Sequence, residues 1–85
     1  MNVIYKIRNV ADGKFYVGST VDFHVRSQNH RRLLRRGKHH CRHLQGAWTK
    51  YGEEVFKFEV VEVIPDTENL QDAEDRWLAE HHGKD

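Results

Sequence analysis

The 85-residue chain has a single cysteine and a single proline. With Cys41 alone, no internal disulfide can staple the fold, and the chain suits a reducing compartment. Long apolar runs are missing too: none exceeds four residues, and Glu62 separates Val60-Val61 from Val63-Ile64. A membrane-spanning helix needs about 20 apolar residues, and a secretory leader needs an apolar stretch of about 7–15 after its basic start. Neither pattern is present, so the expectation is a cytoplasmic protein with no membrane partner. Acid is absent where base is densest. Residues 24–43 hold seven Lys/Arg and five of the seven histidines, with no Asp or Glu.

That local absence reflects a wider asymmetry. Residues 1–52 carry eleven Lys/Arg against two acids, a net +9, while residues 53–85 carry three against eleven, a net −8, so the overall +1 conceals two opposed halves. A basic face of this density attracts a polyanion such as nucleic acid. A hydrophobic content of 38% with nine aromatic residues is enough for one small core, which makes residues 1–85 a single domain.

Residues 3–8 alternate Val3, Tyr5 and Ile7 against Ile4, Lys6 and Arg8, the period of a strand. Asp12-Gly13 signals a hairpin, and residues 14–18 return as a second strand with Tyr16 and Gly18 on one face. Such a hairpin would bring Tyr5 and Tyr16 close together, and Gly18 would let the chain turn. Thr20 or Asp22 can cap a helix over about 22–36, ended by Gly37, with a narrow apolar stripe of Phe23, Val25, Leu33 and Leu34. A second helix, about 40–51, places Cys41, Leu44, Trp48 and Tyr51 on one stripe. Residues 55–64 form a β-branched strand ended by Pro65. A third helix, about 67–82, with Asp66 or Thr67 as cap, carries Leu70, Ala73, Trp77 and Leu78 inward. The order is β-β-α-α-β-α: an α+β fold with a small three-stranded antiparallel sheet flanked by three helices.

Chemistry concentrates between Tyr16 and His30. Arg26 and His30 stand at i and i+4 on one helix, so both can act on one group. An arginine fork suits phosphate oxygens, and an imidazole beside it can move a proton. Arg31, Arg32, Arg35, Arg36, Lys38, His39 and His40 continue the basic run as candidate DNA contacts, because no acid near them in sequence offers an ion pair. His39, His40, Cys41 and His43 suggest zinc only superficially, since no second ligand pair follows at finger-like spacing. Glu74 interrupts the apolar stripe of the third helix. A carboxylate there needs compensation, either from a basic residue of the first helix or from a divalent cation.

These residues resemble the GIY-YIG nuclease family. Val3-Ile4-Tyr5 and Tyr16-Val17-Gly18 are similar to its paired tripeptides, with Val3 where glycine is usual. Arg26, His30, Lys50-Tyr51-Gly52 and Glu74 follow in family order. Leu44-Gln45, Trp48 and the strand ending Glu62-Val63-Ile64-Pro65 look most like the catalytic domains of phage and intron-encoded homing endonucleases. The family also commonly carries an asparagine just beyond the third helix, which has no counterpart up to Asp85. Either the domain is trimmed or that contribution is absent.

The resemblance implies metal-dependent hydrolysis of a DNA phosphodiester through one Mg²⁺ (or Mn²⁺) ion. Glu74 would be the metal ligand, Arg26 the phosphate clamp, Tyr5 or His30 the base, and Tyr16 an orienting group. It favours Tyr5 as base with His30 relaying, whereas intrinsic pKa values alone favour His30. A separate DNA-binding domain and a transient dimer on DNA are further expectations. Two rivals remain: a non-catalytic nucleic-acid-binding module of the same fold, and a recruitment domain using its acidic C-terminal third.

Overall fold

The computed structural model describes residues 1–81. Its elements run β1 (Val3–Asn9), β2 (Phe15–Thr20), α1 (Phe23–Arg35), α2 (Arg42–Tyr51), a 3₁₀ turn (Glu53–Val55), β3 (Phe56–Val63) and α3 (Leu70–Glu80). This is the α+β order expected from the sequence. The sheet is antiparallel throughout with strand order β2-β1-β3, so β1 is central and β2 and β3 are its edges.

The central strand is buried on both faces. Tyr5 and Ile7 pack with Leu34, Leu44, Trp48 and Phe56 beneath α1 and α2. Ile4 packs oppositely with Ile64, Ala73 and Trp77 beneath α3. At Ile4 the alternation separates two cores, while Lys6 and Arg8 farther along that face stay partly exposed. Between Ile4 and Tyr5 the pairing with β3 shifts by one residue, from Ile4↔Glu62 to Tyr5↔Val60. Such a bulge bends and twists a strand locally, here directly beside the first candidate catalytic residue.

Several sequence expectations are corrected. Gly18 is not at a turn. It lies inside β2, has no positive φ, and faces Tyr5 across the strand pair. The turn glycine is Gly13, at φ 80°. Of the two capping candidates for α1, Asp22 acts, its Oδ1 accepting from Val25 N at 3.1 Å. The third helix is capped by Asn69 rather than Asp66 or Thr67, and starts at Leu70 because the 65–69 segment turns first. Its expected last residue, position 82, lies outside the described residues. Val25, Tyr51 and Leu78 are exposed rather than core, because each sits at the rim of its helix stripe. Among the described residues no helix is long and apolar enough to cross a membrane.

Candidate active site

The inward stripe of α1 is largely polar. Its buried residues are Ser27, His30 and Leu34, spaced three and four apart as one helical face requires. His30 is 3% exposed, and its Nε2 lies 2.6 Å from the Tyr5 hydroxyl. On its other side, His30 Nδ1 lies 2.8 Å from His39 Nε2. His39 Nδ1 in turn accepts from the Cys41 backbone N–H at 3.0 Å. A continuous hydrogen-bonded line thus runs from the start of α2 to the phenol on β1. Gln45 fastens it. Its Oε1 accepts from His39 N at 3.1 Å, and its Nε2 donates to Leu34 O at 3.0 Å.

Tyr5 and Tyr16 share a sheet face but are diagonal rather than opposite, since Tyr5 pairs with Gly18 and Tyr16 with Ile7. Gly18 gives the Tyr5 ring its place: a β-carbon there would stand 2.6 Å from Cζ of that ring. The Tyr16 ring meets His30 edge-on at 5.5 Å between centroids, and His39 at 6.0 Å. Both tyrosines and His30 feel the charge of Arg26, which stands exposed one turn before His30 on α1.

Glu74 reaches the same region from the opposite side of the sheet. Its Oε1 accepts from Ser19 Oγ at 2.5 Å. Because Gly18 and Ser19 are adjacent in a strand, they face opposite sides. Gly18 seats Tyr5 and Ser19 holds Glu74, and the Glu74 charge reaches both tyrosine phenols. The compensation for this half-buried carboxylate includes a hydroxyl that the sequence reading did not single out. Period-two alternation after Gly18 was the signal that would have found it.

The electrostatics are uneven. Burial, then Tyr16, pushes the Tyr5 phenol up to about 12, with Arg26 opposing and Glu74 adding to the rise. Burial also raises Tyr16, helped by Cys41 and Glu74. Burial, then His39, Arg26 and His40, lowers His30 to about 4. Burial and His40 lower His39 as well, with the Cys41 backbone opposing. Both histidines are therefore neutral at pH 7.

The basic run divides. Arg32, Arg36, Lys38 and His40 are exposed and open to a polyanion. Arg35 is not without a partner: its Nε donates to Glu53 Oε1 at 2.8 Å, because the 3₁₀ turn brings back an acid 18 residues away. Arg31 lies 4.0 Å over the Phe58 ring, which ties part of its side chain to the sheet. His39, 7% exposed, belongs to the buried line rather than to the surface run.

Comparisons with known proteins place the chain in a family. The family model described as the GIY-YIG catalytic domain matches residues 1–84. Intron-associated endonuclease 1 of Enterobacteria phage T4 is 37% identical over 82 residues. That alignment takes in 95% of this chain but 33% of the relative, so the chain spans about a third of that protein's length. The solved catalytic domain of homing endonuclease I-TevI superposes with a TM-score of 0.84 at 34% identity, covering 94% of this chain and 87% of that one. A glutamate-to-alanine mutant of the same domain gives the same TM-score and identity, covering 99% and 88%. A family match over residues 1–84, together with two superpositions at a TM-score of 0.84, establishes that this chain belongs to the GIY-YIG catalytic domain family.

Proposed function

We propose that this domain is a DNA endonuclease that hydrolyses phosphodiester bonds with the help of a divalent cation, Mg²⁺ or Mn²⁺. The observation that carries the reading is that adjacent β2 residues seat a phenol–imidazole pair on one face, at Gly18, and a carboxylate on the other, at Ser19, with the charges of Arg26 and Glu74 both felt at the two phenols. Arg26 supplies fixed positive charge for a phosphate whose charge grows during attack. Tyr5, as the phenolate that the Arg26 charge and a bound cation would favour against burial, with His30 in support, takes a proton from the attacking water, and Tyr16 orients the water or the phosphate.

The carboxylate set fits a cation that keeps most of its water. Among the described residues, no cluster of three or more His, Cys, Asp or Glu could hold a metal. Glu74 is the carboxylate we assign to the ion, with Oε1 oriented by Ser19 and Oε2 without a hydrogen-bond partner among the described residues. Mg²⁺ usually binds through one or two carboxylates, several waters and the substrate phosphate. When bound, the ion would offset charge on the non-bridging and leaving oxygens.

Arg32, Arg36, Lys38 and His40 form the track for the DNA backbone, with Arg31 and Arg35 contributing from their anchored positions. The accessible surface totals 5697 Å², whereas specific DNA interfaces bury about 1,000–2,500 Å² of protein. We therefore assign target selection to a separate DNA-binding segment, and cutting of both strands to a transient pair of domains. Plasmid nicking tests the core of the proposal. Wild type with Mg²⁺ or Mn²⁺ should nick, while EDTA and Glu74→Ala should each abolish nicking. Intact plasmid with wild type at high protein concentration and either metal would sink it.

A further inference from the structure

The line of hydrogen bonds behind Tyr5 has only one arrangement of protons, and that arrangement assigns a role to His39. A backbone N–H can only donate, so His39 Nδ1, which accepts from Cys41 N at 3.0 Å, carries no proton. The proton of neutral His39 is then on Nε2, which must donate to His30 Nδ1 across 2.8 Å. His30 Nδ1 is thereby an acceptor, and the proton of neutral His30 sits on Nε2. Across 2.6 Å, His30 Nε2–H donates to the Tyr5 oxygen.

The reverse order fails at its last step. If Tyr5 donated to His30, His30 Nδ1–H would donate to His39 Nε2. His39 would then have acceptors at both nitrogens and no proton, an imidazolate that is not populated near neutral pH. An added proton does not help either, because an imidazolium at either position would set two N–H groups against each other.

We infer that His39 is a positioning residue that makes the Cys41 amide dictate the polarity of the line, so that His30 is a permanent donor to Tyr5. Three consequences follow. The Tyr5 proton cannot pass inward to His30, whose Nε2 already carries one. His30 stabilises the phenolate that results, because its N–H points at the oxygen bearing the charge. With Nδ1 accepting from His39 and Nε2 donating to Tyr5, His30 has no free lone pair to take a proton from Tyr5 or from water, so this arrangement leaves Tyr5 as the base. The surroundings reinforce the arrangement. His40 stacks on His39 at 4.5 Å, the His30 and His39 rings lie 26° from parallel with centroids 5.0 Å apart as an edge-to-edge bond requires, and burial keeps both neutral. Gln45 holds the His39 backbone in register with α1.

The catalytic part rests on the reading of Tyr5 as base; the proton arrangement does not. Nitrogen-15 NMR of histidine-labelled protein reads tautomers directly at neutral pH, without DNA. The expected result is Nε2–H at both His30 and His39, and Nδ1–H at either one overturns the inference. Two variants carry it to function. His39→Leu removes the donor, so His30 should lose its fixed tautomer and nicking should fall by about tenfold or more. His39→Gln keeps an N–H within reach and should retain the His30 Nε2–H form and a larger share of nicking than His39→Leu. If His39→Leu leaves tautomer and nicking as in wild type, the positioning role is wrong. If wild type shows the expected tautomers but does not nick, the nuclease reading fails while the proton arrangement stands.

Discussion

Replacing Gly18 with alanine should damage the site without touching any chemical group. The backbone at Gly18 has no positive φ, so alanine itself is conformationally allowed. The difficulty is space. The new β-carbon would stand 2.6 Å from Cζ of Tyr5, whereas carbon atoms rest at about 3.5–4.0 Å. The ring must therefore retreat by about 1 Å, within a core that leaves Tyr5 1% exposed. Overpacking of this kind costs about 1–3 kcal/mol, and removing a strand glycine returns about 0.5–1 kcal/mol. The net loss is on the order of 1–2 kcal/mol, or a fall in Tm of several degrees for a domain this small. The same retreat pulls the phenol away from His30 Nε2, now 2.6 Å distant, and a misplacement of that size lowers activity by about 100-fold. Urea denaturation and plasmid nicking measure the two effects. A double-mutant cycle with Tyr5→Val separates them from general damage. Without the ring, Gly18→Ala should become neutral or stabilising. An equal cost in both backgrounds would refute the steric argument.

Arg26→Ala should lower nicking by about 10²–10³-fold and leave Tm unchanged, because the residue is exposed and serves the developing phosphate charge. A matching loss of stability would mean that Arg26 is structural. Stability should fall on acidification. His30 titrates near 4 in the fold against 6.5 unfolded, so its contribution is complete above pH 6.5 and disappears as the pH drops toward 4. The change is on the order of 3 kcal/mol. Urea midpoints at pH 7 and pH 4.5 should differ more in wild type than in His30→Gln, and equal differences would contradict the assignment. Binding to duplex DNA should weaken steeply with salt, and Arg36→Ala should reduce the slope of log K against log salt by about 0.9. Arg35→Ala should change it less, since its guanidinium is already engaged with Glu53. Fluorescence anisotropy titrations at several salt concentrations check this, and equal slopes for both variants would place the backbone track elsewhere.

The fold was legible because its signals were local. Strand alternation, the Asp12-Gly13 turn and the stop at Pro65 all act within a few residues, and the element order followed from them. The candidate site residues could be named from the sequence by type and order, but their partners could not. Arg35 was read as unpaired because its acid, Glu53, returns through the 3₁₀ turn from 18 residues away. His39 was read as a surface contact because nothing in its neighbourhood announces a buried bond to His30. Gly18 was assigned to a turn because glycine has two uses, and only the register that sets it opposite Tyr5 tells them apart. Val25, Tyr51 and Leu78 show the limit of helical periodicity: it marks a stripe but not where the neighbouring element ends.

The adjacency of Gly18 and Ser19 also decides what kind of catalyst this is. Tyr5 is seated on one residue and Glu74 is held by the next, so the two halves of the site are joined by a single peptide inside a paired strand. No hinge separates them. Enzymes that bind between two lobes can close on a substrate and gain discrimination from the movement, but this domain has no lobes to close. Whatever adjustment brings a phosphodiester into line must come from the nucleic acid. On the nuclease reading, pyrimidine–purine steps, which kink most easily, should be cut somewhat faster by the isolated domain, a slight bias distinct from target selection that mapping of nick positions would show.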